Sequence, residues 1–292
     1  MRKQFTKTLK DILYSDEKTV LLLGDIGVYG FTDELNKIPE RAYNIGILEQ
    51  TTIGLAAGMA NSGLIPFVHT IAPFIVERAL EQLKLDFGYQ ELNGNFISVG
   101  GSYDFTGLGC THHCPGDMAL LLTIPKMEIL IPGNGMEFDT LIKHTYNSGN
   151  PTYTRISENN HSQNISVKFG HANVITTGSK ATVVCFGPML QQVLEATEDM
   201  DVTVLYYSTI APFDGKTLLE NFNEKIIVCE PFYEGTVNHL VDFSLKGKPY
   251  AKFNIGVPRK FLTNYGTKAE HDINLGLDSS SMRKTIKSYL GE

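Results

Sequence analysis

The chain has 292 residues, 42% hydrophobic and 20% charged, with a formal net charge of −7. That length and balance suit one large or two medium globular domains with a real core, and argue against disorder. The acidic excess offers no basic cluster for nucleic acid or anionic lipid. No apolar run approaches the ~20 residues that cross a bilayer, and the first residues, MRKQFTKTLKDILYSD, lack the apolar core and cleavage site of a signal peptide. Of four cysteines, Cys110 and Cys114 lie close together, while Cys185 and Cys229 stand inside apolar runs. This is no disulfide framework, and a reduced, cytoplasmic setting is expected.

In chain order, Phe5, Leu9, Ile12 and Leu13 repeat at helical spacing over Lys3–Tyr14. Thr19–Gly24 is an apolar run ending in glycine, as a buried strand would be. Ala42–Ile47 is a weaker strand candidate. Gln50–Asn61, rich in small residues, predicts a tightly packed helix. The pattern then predicts a strand over Pro66–Thr70, one long helix over Pro73–Leu92, and a strand over Phe96–Gly100. A helix over Asp117–Thr123, a strand over Glu128–Ile131, a helix over Gly135–Ser148 and a strand over Pro151–Arg155 complete the series. The polar stretch Ser157–Lys168 reads as an interdomain linker. Beyond it, strands are expected at Ala181–Phe186, Val202–Tyr207 and Lys225–Glu230, with helices near Met189–Glu198 and Gly235–Leu245. The alternation predicts an α/β protein of two doubly wound, mostly parallel domains, at 1–160 and 168–292.

Several residues could carry chemistry. Glu49 stands where a strand candidate runs into the small-residue helix, flanked by Ile47 and Leu48. Burial there would favour the protonated carboxyl; alternatively, the acid simply complements the helix dipole. Gly107-Leu-Gly-Cys-Thr-His-His-Cys114 is glycine-rich and followed at once by two histidines. It could present a histidine for proton transfer or hydrogen bonding, or be an ordinary surface loop. A metal site from Cys110, His112, His113 and Cys114 is disfavoured, because four ligands in five residues cannot easily surround one ion. Phe74 precedes the long predicted helix, and a lone aromatic is usually core. Arg155 ends a predicted strand, where ligands of α/β sheets bind. Its guanidinium could hold phosphate or carboxylate, or form a surface ion pair.

Taken together and in order, these segments resemble a known family. Arg41–Gln50 (RAYNIGILEQ) with the following GLAAGMANSGLIPFVHT is similar to the pyrimidine-binding domain shared by transketolases, 1-deoxyxylulose-5-phosphate synthases and 2-oxo acid dehydrogenase beta subunits. Gly109-Cys-Thr-His-His113 resembles the family's Gly-x-Thr-His-Gln loop, and Ile124-Pro-Lys-Met-Glu128 through Pro132-Gly its next segment. Ser208–Asp214, Gly256–Phe261 and Gly276-Leu-Asp278 resemble motifs of the transketolase C-terminal domain.

The resemblance implies thiamine diphosphate as cofactor, with Glu49 bonded to its pyrimidine ring and favouring the tautomer that activates the thiazolium carbon. It makes Glu49 and His112 the catalytic residues. It gives Asp25, Arg78 and either Phe74 or Ile75, depending on register, contacts with the cofactor. His112, His113 and Arg155 would bind substrate, Arg155 through a phosphate.

Two departures stand out. Leu108 replaces an aspartate that reads a substrate hydroxyl in many transketolases. The family's diphosphate-and-magnesium motif begins Gly-Asp-Gly, which occurs nowhere in this chain. No metal ligands are therefore expected here. Mg2+ and its ligands would come from an N-terminal transketolase subunit, in a dimer of heterodimers. The resemblance thus implies the beta subunit of a split transketolase that transfers a two-carbon ketol unit between sugars. The beta subunit of a pyruvate-type dehydrogenase, a deoxyxylulose-phosphate-synthase-like condensation and a non-catalytic scaffold are the competing readings.

Overall fold

A computed structural model describes residues 1–292. Twelve strands form two sheets. In chain order they are β1 (Thr19–Leu23), β2 (Ala42–Asn44), β3 (Ile65–Ile71), β4 (Gly94–Val99), β5 (Glu128–Leu130), β6 (Pro151–Ile156), β7 (Ala172–Thr176), β8 (Ala181–Phe186), β9 (Val202–Tyr207), β10 (Thr209–Ala211), β11 (Lys225–Tyr233) and β12 (Ala251–Val257). The first sheet runs β10-β5-β6-β4-β3-β1-β2 and the second β12-β11-β8-β9-β7. All pairings are parallel except those of the edge strands β10 and β7. The expected doubly wound α/β architecture is what the chain adopts.

Each sheet is covered on both faces, so its central strands are buried along their whole length. In β1, Leu21 and Leu23 join one core, while Val20 and Leu22 join another. Those are the two sides of a strand. The helices Arg2–Ser15 and Gly135–Thr145 bury Phe5, Leu9, Phe138 and Leu141 in the first core. The helix Glu49–Asn61 buries Ile53 and Ala56 in the second. Both cores continue into the second sheet, through Val183 and Val204 on one side and Val184 and Phe186 on the other.

Two expectations are corrected, and a third segment is held more firmly than its polar composition suggests. The long helix over 73–92 is three pieces: Ala72–Val76, Leu80–Gln82 and a wide π-helical turn, Leu83–Tyr89. The break comes at Arg78 and Ala79, which leave the helical path so that Arg78 can reach Glu49. The strand expected over 42–47 ends at Asn44. The 157–168 stretch has no regular structure, as expected of a linker, yet it is anchored: His161 and Val167 are buried.

The sequence pattern also hides β10, which follows β9 of the second sheet but pairs with β5 of the first, where the Ile131 N–H donates to the Ser208 carbonyl at 2.8 Å. The helices Lys268–Leu275 and Ser279–Leu290 likewise have no counterpart among the expected elements.

Candidate active site

In the first sheet the chain leaves β1 for β2 on one side, then returns to β3 on the other. A crevice opens outside the carboxyl ends of strands at such a reversal, and ligands of α/β sheets bind there. Asp25 follows β1, Glu49 follows β2, Phe74 and Arg78 follow β3, and His112 follows β4.

Glu49 opens its helix, with its carboxylate at the positive end of the dipole. It is only 3% exposed, although Ile47 and Leu48 beside it are 64% and 56% exposed. The Arg78 Nη1 donates to Glu49 Oε2 at 2.7 Å. Oε1 is buried with no partner. A buried polar atom left unpaired costs about 1–3 kcal/mol, so this oxygen is a place for a hydrogen-bond partner the chain itself does not supply. The Arg78 guanidinium also lies 4.3 Å from the centre of the Phe74 ring, and that ring meets His112 edge-on at 5.4 Å. Glu49, Arg78, Phe74 and His112 thus form one continuous group.

The loop bearing His112 is pinched at its base. Ser102 and Cys114 exchange backbone hydrogen bonds of 3.2 and 2.7 Å. At the tip, Cys110–His112 makes a single 3-10 turn, and Thr111 Oγ1 shares a 3.0 Å hydrogen bond with His112 Nδ1. Leu108 is 52% exposed there.

Other sequence candidates sit elsewhere. Ile75 is wholly buried in the core, so of the two registers only Phe74 presents a ring to the group. His113 turns inward, its edge to His271, and burial together with His271 lowers its pKa. Cys110 is exposed and Cys114 buried, so the four residues of the conceivable metal site do not gather around one point.

Asp25 is exposed with a left-handed φ of 59°, and its carboxylate accepts from Asn44 Nδ2 at 3.1 Å. A non-glycine residue held in that conformation marks a constrained site. Arg155 is buried and contacts Asp117 at 3.3 Å, the Pro231 carbonyl at 3.0 Å and the Phe232 ring, rather than any member of the Glu49 group. Burial pushes the Asp117 carboxyl up against the pull of Arg155. Arg155 lines an open crevice between the two sheets, with Tyr103, Asp104, Gln192 and Lys268. Its Nη1 has no partner.

Residues the sequence did not single out are Asn44, Glu77 and Tyr265. Glu77 accepts from the Cys114 thiol at 3.6 Å, and burial raises its pKa. Asn44 could have been noticed as a polar residue ending a strand just before Gly46.

The family model described as "Transketolase, pyrimidine binding domain" matches residues 1–163. An uncharacterized 33.6 kDa protein in the fasciation locus of Rhodococcoides fascians is 35% identical, over 98% of this chain and 94% of that protein. One of the subunits of the apulose-4-phosphate transketolase of Phocaeicola vulgatus is 28% identical, over 99% of this chain and 97% of its own length. Among solved structures, a split-gene transketolase described as an inactive beta4 tetramer superposes with a TM-score of 0.86 at 24% identity, covering 99% of this chain and 97% of that one. With the family model spanning more than half of the chain and the Rhodococcoides relative aligning almost end to end, the protein belongs to the transketolase family through its pyrimidine-binding domain.

Proposed function

We propose that the chain is the beta subunit of a split thiamine diphosphate-dependent transketolase, moving a two-carbon ketol unit between sugar substrates. The observation that carries the reading is the buried, unpartnered Oε1 of Glu49, whose other oxygen is fixed by Arg78. Residues 1–160 are the pyrimidine-binding domain and 168–292 the transketolase C-terminal domain. The end-to-end likeness to a single transketolase subunit supports the division of labour between two chains.

Thiamine diphosphate, when bound, supplies a carbon nucleophile and an electron sink for cleaving the bond between two substrate carbons. The chain's own part is to position and to move protons. Glu49 would meet the pyrimidine with Oε1, the oxygen that Arg78 leaves open, and exchange a proton there. Arg78 fixes the carboxyl, and Phe74 offers the apolar wall. Asp25, steadied by Asn44, edges the same crevice. His112 stands on Phe74, ready to bond the substrate oxygens beside the reacting carbon. His113 backs that loop from within. Arg155 has one nitrogen free for the anionic end of a sugar phosphate. No group of three or more His, Cys, Asp and Glu side chains is arranged to hold a metal. The Mg2+ ligands are assigned to an N-terminal subunit carrying Gly-Asp-Gly, in a dimer of heterodimers.

The test is reconstitution. Mixed with that subunit, Mg2+ and thiamine diphosphate, the chain should transfer a ketol unit from a ketose donor to an aldose acceptor. Alone, it should bind the cofactor poorly. Carbon dioxide release from pyruvate without ketol transfer would overturn the reading, as would tight Mg2+-dependent cofactor binding by the isolated chain.

A further inference from the structure

The second domain contributes no member of the Glu49 group, yet it touches the His112 loop at three points. Tyr265 lies in the irregular segment between β12 and the helix Lys268–Leu275, with its ring against the backbone of Gly109. A Cβ on Gly109 would sit 2.7 Å from that ring, and Gly109 has a φ of +75°. The glycine suits this conformation, and its lack of a Cβ leaves room for the tyrosine ring. Directly after Tyr265, Gly266 takes a φ of +148°, and Thr267 begins the next helix with a reciprocal capping box to Glu270. The segment carrying Tyr265 is thereby anchored at its end.

At the other end of the loop, the N–H of Tyr233 donates to the carbonyl of Pro115 at 2.9 Å, and its ring lies in contact range of Gly116. The turn that follows Tyr233 is held by the buried Glu230, which accepts from the N–H groups of Gly235 and Val237. Beneath the loop, His271 lies edge-on to His113 and stacks on Tyr103, whose hydroxyl donates to Asp272 at 2.6 Å. The loop tip itself has few bonds of its own: the N–H groups of His112 and His113 donate to the Gly109 and Cys110 carbonyls at 3.0 and 3.2 Å. A single 3-10 turn of this kind does not hold its shape unaided.

We propose that Tyr265 is a positioning residue: its ring on Gly109, with Tyr233 gripping Pro115 and Gly116, lets the second domain hold His112 in register against Phe74. The contact is geometric and needs the aromatic ring rather than its hydroxyl. Its catalytic meaning rests on the role assigned to His112, but its physical content can be tested without any activity.

In the isolated chain, hydrogen exchange should read the amides of His112 and His113 directly. Tyr265→Ala should speed their exchange at least tenfold, Tyr265→Phe should restore wild-type protection, and amides of β8 should not change in either variant. In the reconstituted enzyme, Tyr265→Ala should lower kcat several-fold with little change in cofactor affinity, and Tyr265→Phe should recover it. Unchanged protection of His112 and His113 in Tyr265→Ala would overturn the proposal, as would equal loosening in Tyr265→Phe. Accelerated exchange throughout the second domain would also overturn it, because the effect would then be loss of fold. Absence of ketol transfer in the wild type would overturn the assigned function and leave the exchange result standing.

Discussion

At the scale of single residues, Glu49 and His69 show opposite uses of burial. Glu49 has one oxygen held by Arg78 and one left open, an arrangement costly for stability unless something else completes it. Glu49→Ala should leave the fold intact and abolish hydrogen–deuterium exchange at the thiazolium carbon in the reconstituted enzyme; NMR of the bound cofactor would check this, and persisting exchange would remove Glu49 from the role. His69, by contrast, is closed off. It lies under Gly27 in β3, gives its Nδ1–H to the Ile97 carbonyl at 2.8 Å, and packs against Phe5. Burial lowers its pKa from 6.5 to about 4. Between those values the unfolded chain takes up a proton that the folded chain refuses, so stability falls as pH drops through this window. Denaturant titrations at pH 7 and pH 4.5 should show a smaller loss in His69→Gln than in the wild type. Neither role is fully legible in the sequence. Glu49 is marked by its junction and by the resemblance. His69 gives no sign there, because its burial depends on strands brought together from 28 positions apart.

At the scale of elements, what can be read is what repeats locally. β1, β3 and β4 are short, mostly apolar runs bounded by turn residues, and they and β6 fold where the pattern places them. The segment after Ile71 defeats the pattern for a physical reason. Its apolar residues keep helical spacing because they fill a core, but the backbone breaks where Arg78 must turn toward Glu49. In the short helix before the break, Ile75 is buried and Phe74 stands beside His112. The π-helical turn has its own consequence. It drives Phe87 against Phe96, with ring centres 4.7 Å apart, and over Gly94, the first residue of β4. A Cβ at Gly94 would stand 2.3 Å from the Phe87 ring. Gly94→Ala should therefore cost about 1–3 kcal/mol through overpacking, measurable as a lower urea midpoint at unchanged m-value.

At the scale of the whole molecule, the two sheets are joined by more than a linker. Glu137, from the helix Gly135–Thr145, is fully buried and accepts from the Gly133 N–H at 2.7 Å and the Tyr206 hydroxyl at 2.5 Å. His161, from the stretch that reads as a linker, approaches the same carboxylate at 2.9 Å. Residues of the first domain, the connection and the second domain thus meet at one buried acid. Removing the carboxylate leaves the Gly133 N–H and the Tyr206 hydroxyl buried without their acceptor, at a cost of about 1–3 kcal/mol each. Glu137→Ala should lower the melting temperature by several degrees, which calorimetry would register. This arrangement cannot be read from sequence, because nothing in a polar stretch announces that one of its histidines will be buried.

The strand β10 adds a different consequence. It lies along the outer side of β5, so the second domain seals what would otherwise be an open row of backbone donors and acceptors. Such bare rims recruit other chains. The stretch between the two sheets is therefore not a seam along which the chain could be cut without exposing β5. A fragment ending at residue 163 would carry the full family match but an unsealed rim, and should form soluble oligomers or precipitate, as sedimentation would reveal. Cutting between the two sheets removes a fold and also uncovers the side of β5 that β10 covers.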